Sequence, residues 1–244
     1  MCKRILWQLI IIASLTIGAA NCAGDKSTPD SPGFASIVKF FDVKTRKAFG
    51  NYRQEITKHR KPTTLHEQGE SYRIKTCAEL LELLEQGLSL EEARVDRVFS
   101  GYQTCLVLSI LRYAQSPRVS YFKHQALGDQ ILKHLNLATL RSSLYPRAKS
   151  PKQGFTFSDF KFSSIETTPH ALAVEDEGWR YGVNVLAASD FNGDGIEDVV
   201  ATFYDDAKTG TYFSITTLLL TQTEPDGRIA AEDAGGLVRG SGDY

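Results

Sequence analysis

The segment Asp190-Phe191-Asn192-Gly193-Asp194-Gly195-Ile196-Glu197-Asp198 sets polar oxygens at its first, third, fifth and ninth positions. Asp190, Asn192, Asp194 and Asp198 offer side-chain oxygens, and Ile196, at the seventh position, offers its backbone carbonyl. A hard dication such as calcium takes six to eight oxygens at roughly 2.3–2.6 Å, and this segment plus water would supply them. Gly195 permits the sharp turn such a loop needs. The carboxylates of Asp190, Asp194 and Asp198 on so short a segment repel one another unless a cation sits among them, so the spacing favours a metal loop over a bare acidic turn. The expected cofactor is calcium.

The flanks say which elements hold the loop. An EF-hand opens in the same way but needs a bidentate Glu at the twelfth position, where this chain has Ala201. Both EF-hands and dockerin-type loops also expect helix afterwards. Here VNVLAAS precedes the loop and VVATFY follows it. These β-branched and apolar runs read as strands. The longer stretch VLAASDFNGDGIEDVVATF resembles the FG-GAP repeat, the calcium loop of integrin-type β-propellers and of many bacterial exported proteins. The resemblance implies that calcium is held by Asp190, Asn192, Asp194, the carbonyl of Ile196, and Asp198. It covers residues 183–221 and has no second copy, so the multi-bladed architecture of that family is not implied.

The rest of the second half reads as a small antiparallel β module over 151–222. Phe155, Phe157, Phe160 and Phe162 alternate with polar residues and suggest one or two strands. Further strands are expected over 171–174, 179–187, 199–204 and 212–221, joined by acidic or glycine-containing turns. Residues 223–244 are rich in Gly and Asp and are expected to be loosely ordered.

The first half, 36–150, reads as a helical module. Ile37, Phe40, Phe41, Phe49 and Tyr52 fit one face of one or two helices, with basic residues between them as a solvated face. Thr76-Cys77-Ala78-Glu79 fits a capping box, Leu80, Leu81, Leu83 and Leu84 form a buried stripe, and Gly87 ends the helix. Ser89-Leu90-Glu91-Glu92 fits a second capping box, opening a helix that Gly101 kinks or divides. A further helix is expected over 130–137 and a short one over 140–144. Antiparallel packing of the first two capped helices predicts a Cys77–Cys105 disulfide, worth on the order of 3–4 kcal/mol by loop closure. The other chemistry open to Cys77, a nucleophile at a helix N-terminus, lacks a visible base. His59, His66, His124, His134 and His170 have no zinc spacing and read as surface or packing residues. The fold class expected is therefore α+β, a disulfide-linked helical module followed by the β module.

The N-terminus has Lys3 and Arg4, then an uncharged apolar run over 5–17, then Gly18-Ala19-Ala20. This is the pattern of an export signal, taken as 1–21. The run is short for a spanning helix, which needs roughly 20 residues. The other readings are an uncleaved anchor and cleavage after Ala20. Ala19-Ala20-Asn21-Cys22 resembles the lipobox of bacterial lipoproteins, which implies lipid on Cys22, although Asn21 departs from the family pattern. Lipid on Cys22 would leave Cys77 and Cys105 as a clean pair. The stretch 22–35 is small, polar and Pro-containing, and reads as a tether.

With 28 Lys and Arg against 29 Asp and Glu, the 244-residue chain carries a formal net charge of −1. Nothing in that balance points to nucleic acid. No GxSxG, HExxH, P-loop or dinucleotide-binding pattern occurs. The reading that follows is a non-catalytic exported calcium-binding protein, periplasmic or lipid-anchored to the outer membrane. It would bind or assemble with an envelope protein or polymer, with calcium as a structural staple and any membrane contact through Cys22. The alternative is an envelope-polymer hydrolase using carboxylates such as Glu175, Glu177 or Asp205 in a cleft between the modules.

Overall fold

The computed structural model describes residues 36–90, 97–144 and 154–235. The stretches read as an export signal and a tether, with Cys22, Glu91 and Glu92 of the expected second capping box, and the end of the expected tail lie outside these residues. Strand β1 (Lys39–Phe40) leads into helices α1 (Val43–Gly50) and α2 (Tyr52–Thr57), a hairpin of β2 (Thr63–Glu67) and β3 (Glu70–Ile74), and helix α3 (Cys77–Glu85). A 3-10 turn (Arg97–Tyr102) runs into α4 (Gln103–Leu111), and α5 (Leu127–His134) follows. The second half supplies β4 (Ser164–Thr168), β5 (Ala171–Glu175), β6 (Trp179–Ser189), β7 (Asp198–Ala207), β8 (Phe213–Thr221) and β9 (Ala230–Asp233).

Strands β4 to β9 pair in chain order, every pair antiparallel, and β1 joins β6 beyond the end of β5 to make seven strands. The pairing of β6 with β7 slips by one residue between Val185 and Ala187. The extra residue, Leu186, turns its carbonyl to the N–H groups of Phe41 and Asp42, at 2.9 and 3.2 Å. The bulge thus creates the seat for β1. It also changes which residues face which core. Tyr181, Val183 and Val185 lie on one face, and after the slip Ala188 shares that face while Ala187 joins the other.

The sheet lies between two apolar layers. On one side, α3, α4 and the β2–β3 hairpin pack with Ala187, Val200 and Leu219. On the other, α5 and Phe157 pack with Val199, Ala201, Phe203, Leu218 and Leu220. Gly128 marks where α5 meets the sheet, because a Cβ there would lie 2.1 Å from the Ala171 carbonyl oxygen.

Several local expectations hold. Thr76 caps α3: its hydroxyl accepts the Glu79 N–H at 3.2 Å, and the Glu79 carboxylate accepts the Thr76 N–H at 3.0 Å. The Lys75 and Thr76 N–H groups hold the Glu79 carboxyl below its usual range. Gly87, at φ +102°, ends the helix. Cys77 and Cys105 form a disulfide with 5.1 Å between Cα atoms. The 3-10 turn gives way to α4 just after Gly101.

Other expectations need correction. The stretch read as helical contains the β2–β3 hairpin, whose turn places Gln68 and Gly69 at φ 51° and 88°. Phe40, assigned to a helix face, is in β1, and Asp42 caps α1 only after it. Phe157 begins a 3-10 turn, with Thr156 and Asp159 exchanging cap hydrogen bonds, rather than lying in a strand. The helix expected over 130–137 runs Leu127–His134. The stretch expected to be loose from 223 onward contributes β9, with Ile229 and Ala234 fully buried.

Candidate metal centre

The loop closes a hairpin, with Ser189 opposite Asp198 as the last pair of β6 and β7. Its first and last carboxylates are buried, Asp190 at 2 % and Asp198 at 1 % exposure, while Asn192 and Asp194 are exposed. Gly193 and Gly195 sit at φ +83° and +84°, a region closed to most side chains. These two residues bring the chain back on itself between Asp190 and Asp198.

Short side-chain-to-backbone hydrogen bonds fix the loop. Asp190 accepts the N–H groups of Gly193 at 2.7 Å and Gly195 at 2.8 Å, one on each oxygen. The Asn192 side-chain oxygen accepts the Asp194 N–H at 2.9 Å, and Asp194 accepts that of Ile196 at 2.7 Å. Asp198 accepts the Phe191 N–H at 3.0 Å, closing the loop from its far end. Each carboxylate oxygen has more than one lone pair, so these bonds orient the donors without exhausting them.

Burial pushes the Asp198 carboxyl up to about 7, and the charges of Asp194 and Asp190 push in the same direction. The three carboxylates therefore feel one another, and a cation among them would relieve the repulsion. The donors are all hard oxygens, the kind calcium takes. Among the described residues, however, no three Asp, Glu, His or Cys side chains are gathered into a ready-made metal group. Enclosing an ion requires the exposed Asp194 side chain to turn inward toward Asp190 and Asp198.

The loop does not stand alone. Gln115 and Asp190 exchange backbone hydrogen bonds at 2.7 and 3.2 Å. The Gly195 carbonyl accepts the N–H groups of Arg118 and Val119, and the Val119 carbonyl accepts that of Glu197 at 2.8 Å. That exchange uses the carbonyl of Gly195 and not the one expected to bind metal, on Ile196. The Arg118 guanidinium reaches the Asp194 carbonyl at 3.3 Å, and Ser189 donates to the Gln115 carbonyl at 2.7 Å. The segment after α4 is thereby laced to the loop from one end to the other.

Glu197 carries a second set of contacts. It is 6 % exposed and accepts from Ser120 at 2.8 Å, and it pairs with His124 Nε2 at 2.6 Å. The other nitrogen of His124 meets the Lys39 ammonium. His124, read from sequence as an ordinary surface or packing residue, thus joins β1 to the loop. His170 does pack, against the Phe41 ring at 4.5 Å between centroids.

The carboxylates considered for hydrolysis are dispersed. Glu175 pairs with Lys208 at 2.7 Å, and Glu177 is exposed in a turn. Asp205 and Asp206 point to opposite faces, as adjacent strand residues must, and Asp206 pairs with Arg180 at 2.7 Å. Asp205 is turned away from solvent. It is 1 % exposed and accepts from the Ser143 N–H at 2.6 Å and the Ser143 hydroxyl at 2.8 Å.

No family model matches this chain, and neither the curated proteins nor the solved structures include a detectable match.

Proposed function

We propose that the protein is a non-catalytic exported calcium-binding protein of the bacterial cell envelope, in which calcium staples one end of the sheet. The observation that carries this reading is the 190–198 loop. Its oxygens are all hard donors, its carboxylates repel one another, and its backbone is folded back through Gly193 and Gly195. Calcium held there by Asp190, Asn192, Asp194, the Ile196 carbonyl and Asp198 would neutralise that repulsion. It would also tighten the pairing of the loop with 115–119. The resemblance of the stretch to the FG-GAP repeat supports the same ligand set. The envelope setting rests on the N-terminal pattern of an export signal and on Cys22 as a site of lipid attachment. The Cys77–Cys105 disulfide suits an oxidising compartment. The role at the envelope is binding or assembly, with a protein or polymer partner.

Calorimetric titration of the purified protein with calcium tests the site. One equivalent is expected to bind, with magnesium at least tenfold weaker because Mg²⁺ demands stricter geometry and sheds water reluctantly. Asp194→Ala should abolish the heat. Absence of a calcium heat in the wild-type protein would leave 190–198 as an acidic turn and remove the reading.

A further inference from the structure

The first two helices carry a concentrated positive charge. Residues 39–61 hold eight of the chain's 28 Lys and Arg, against two carboxylates, Asp42 and Glu55. The whole chain has a formal net charge of −1, so the cations are segregated from a remainder that is acidic. Both carboxylates are already engaged. Asp42 caps α1, accepting the Thr45 N–H at 2.6 Å and the Thr45 hydroxyl at 2.8 Å. Glu55 pairs with Lys58 and Arg60, each at 3.3 Å.

Helix periodicity turns this charge outward. Thr45 and Phe49, four residues apart, are the buried residues of α1, which packs on α4. Lys44, Arg46 and Lys47 are exposed on the rest of its circumference. Among the described residues, no carboxylate pairs with these three. Val43 lies between Arg46 and Lys47 on the same outward arc, since residues three and four apart are neighbours on a helix. It is 81 % exposed, more than any other large apolar side chain among the described residues. Helix α2 packs on α3, and Arg53, Lys58 and Lys61 extend the exposed charge through it and just beyond.

We propose that the outer face of α1 and α2 docks on an anionic phospholipid bilayer. The cations match the acidic headgroups, and Val43 is an apolar residue placed among them to enter the interface. Each cation is drawn to an acidic leaflet within about a Debye length, roughly 10 Å at 0.1 M salt. The place of the patch along the chain favours a bilayer over an acidic protein. Thirteen residues separate Cys22 from Ser36, a reach of at most about 50 Å when fully extended. The setting rests on the reading of Cys22 as a lipid site. On that reading, α1 is the first described helix that the lipid brings to the membrane. The lipid holds the chain, and the patch decides which face of the folded body meets the bilayer.

The test is co-sedimentation with vesicles in chelator, using the protein with Cys22→Ser so that no lipid is attached. Vesicles of phosphatidylcholine alone are compared with vesicles that are half phosphatidylglycerol. Binding to the second kind is expected to be at least tenfold tighter, and to weaken as salt is raised from about 0.05 M to about 0.5 M. Lys44→Gln/Arg46→Gln/Lys47→Gln should weaken it tenfold or more. Lys133→Gln/Lys161→Gln/Arg228→Gln, which removes the same charge from exposed positions elsewhere, should stay within threefold. Thermal melts show that both variants are folded. Asp194→Ala should lose the calcium response and keep the vesicle binding, and mass spectrometry of the wild-type N-terminus reads the lipid separately, so the readings fail independently. Equal binding to the two kinds of vesicle, equal loss in the two triple variants, or saturable binding of poly-glutamate with none to phosphatidylglycerol would overturn the proposal.

Discussion

Asp198 is the residue at which the calcium account is most exposed to test. Its carboxyl is pushed up to about 7 by burial, with the Asp194 and Asp190 charges adding to the effect. A group raised in the folded state stabilises that state fully below its unfolded pKa, and this stabilisation is lost as pH rises through the folded value. The calcium-free protein should therefore melt at lower temperature as pH is raised from about 4 to above 7. Calcium needs the ionised carboxylate, so it competes with the proton. Its stabilising effect should be larger at pH 8 than at pH 5.5. Melting curves in chelator across this range, for wild type and for Asp198→Asn, check the assignment. The mutant slope should be visibly shallower, and an unchanged slope would move the titration to another group.

Among the elements, α3 and α4 depend on each other through Cys77 and Cys105. Removing the bridge with Cys77→Ala/Cys105→Ala should cost about 3–4 kcal/mol by chain entropy, read from urea unfolding. A loss below about 1 kcal/mol would mean that the two helices are held by packing alone. This bridge and the α3 cap were legible in the sequence because both are local or countable: a four-residue signature, a leucine stripe, and two cysteines remaining once Cys2 and Cys22 are set aside. Strands β5 to β8 were legible for a similar reason, since their apolar runs are long and their turns acidic or glycine-containing. The β2–β3 hairpin was not. Its alternation buries little beyond Leu65 and Ile74, and its turn is Gln68-Gly69 rather than Asn-Gly. Strand β4 is exposed along its whole length, so no alternating pattern marks it. Strand β1 has two residues and exists because of a bulge more than a hundred residues away. The phenylalanines at 155–162 alternate like a strand, but the Thr156–Asp159 cap winds the chain into a 3-10 turn. At the candidate site, the residues of the loop and its two flanking strands could be read from spacing. Their partners Gln115, Arg118, Ser120 and His124 could not, because nothing local links 115–124 to 190–198.

In the whole molecule, the loop is a junction between halves. The segment 115–119 follows directly from the helical layer, and it pairs with the loop through Asp190, Gly195 and Glu197. Stabilising the loop should therefore stabilise that segment as well. Hydrogen exchange with and without calcium reads this directly. The amides of Gln115 and Arg118 should slow together with those of Gly193 and Gly195, while amides in the β2–β3 hairpin should change little. Protection confined to 190–198 would make calcium a local clamp with no hold on the helical layer.

Thermal unfolding tests the central claim, that the loop holds calcium as a staple. The protein with Cys22→Ser is melted with calcium and with chelator, and the same is done after Asp194→Ala. Calcium at 100-fold above its Kd should add about 2.7 kcal/mol to stability by mass action. The account predicts a clear rise in Tm with calcium that disappears in the Asp194→Ala protein. An identical Tm in calcium and chelator, or a rise that survives the mutation, would contradict it.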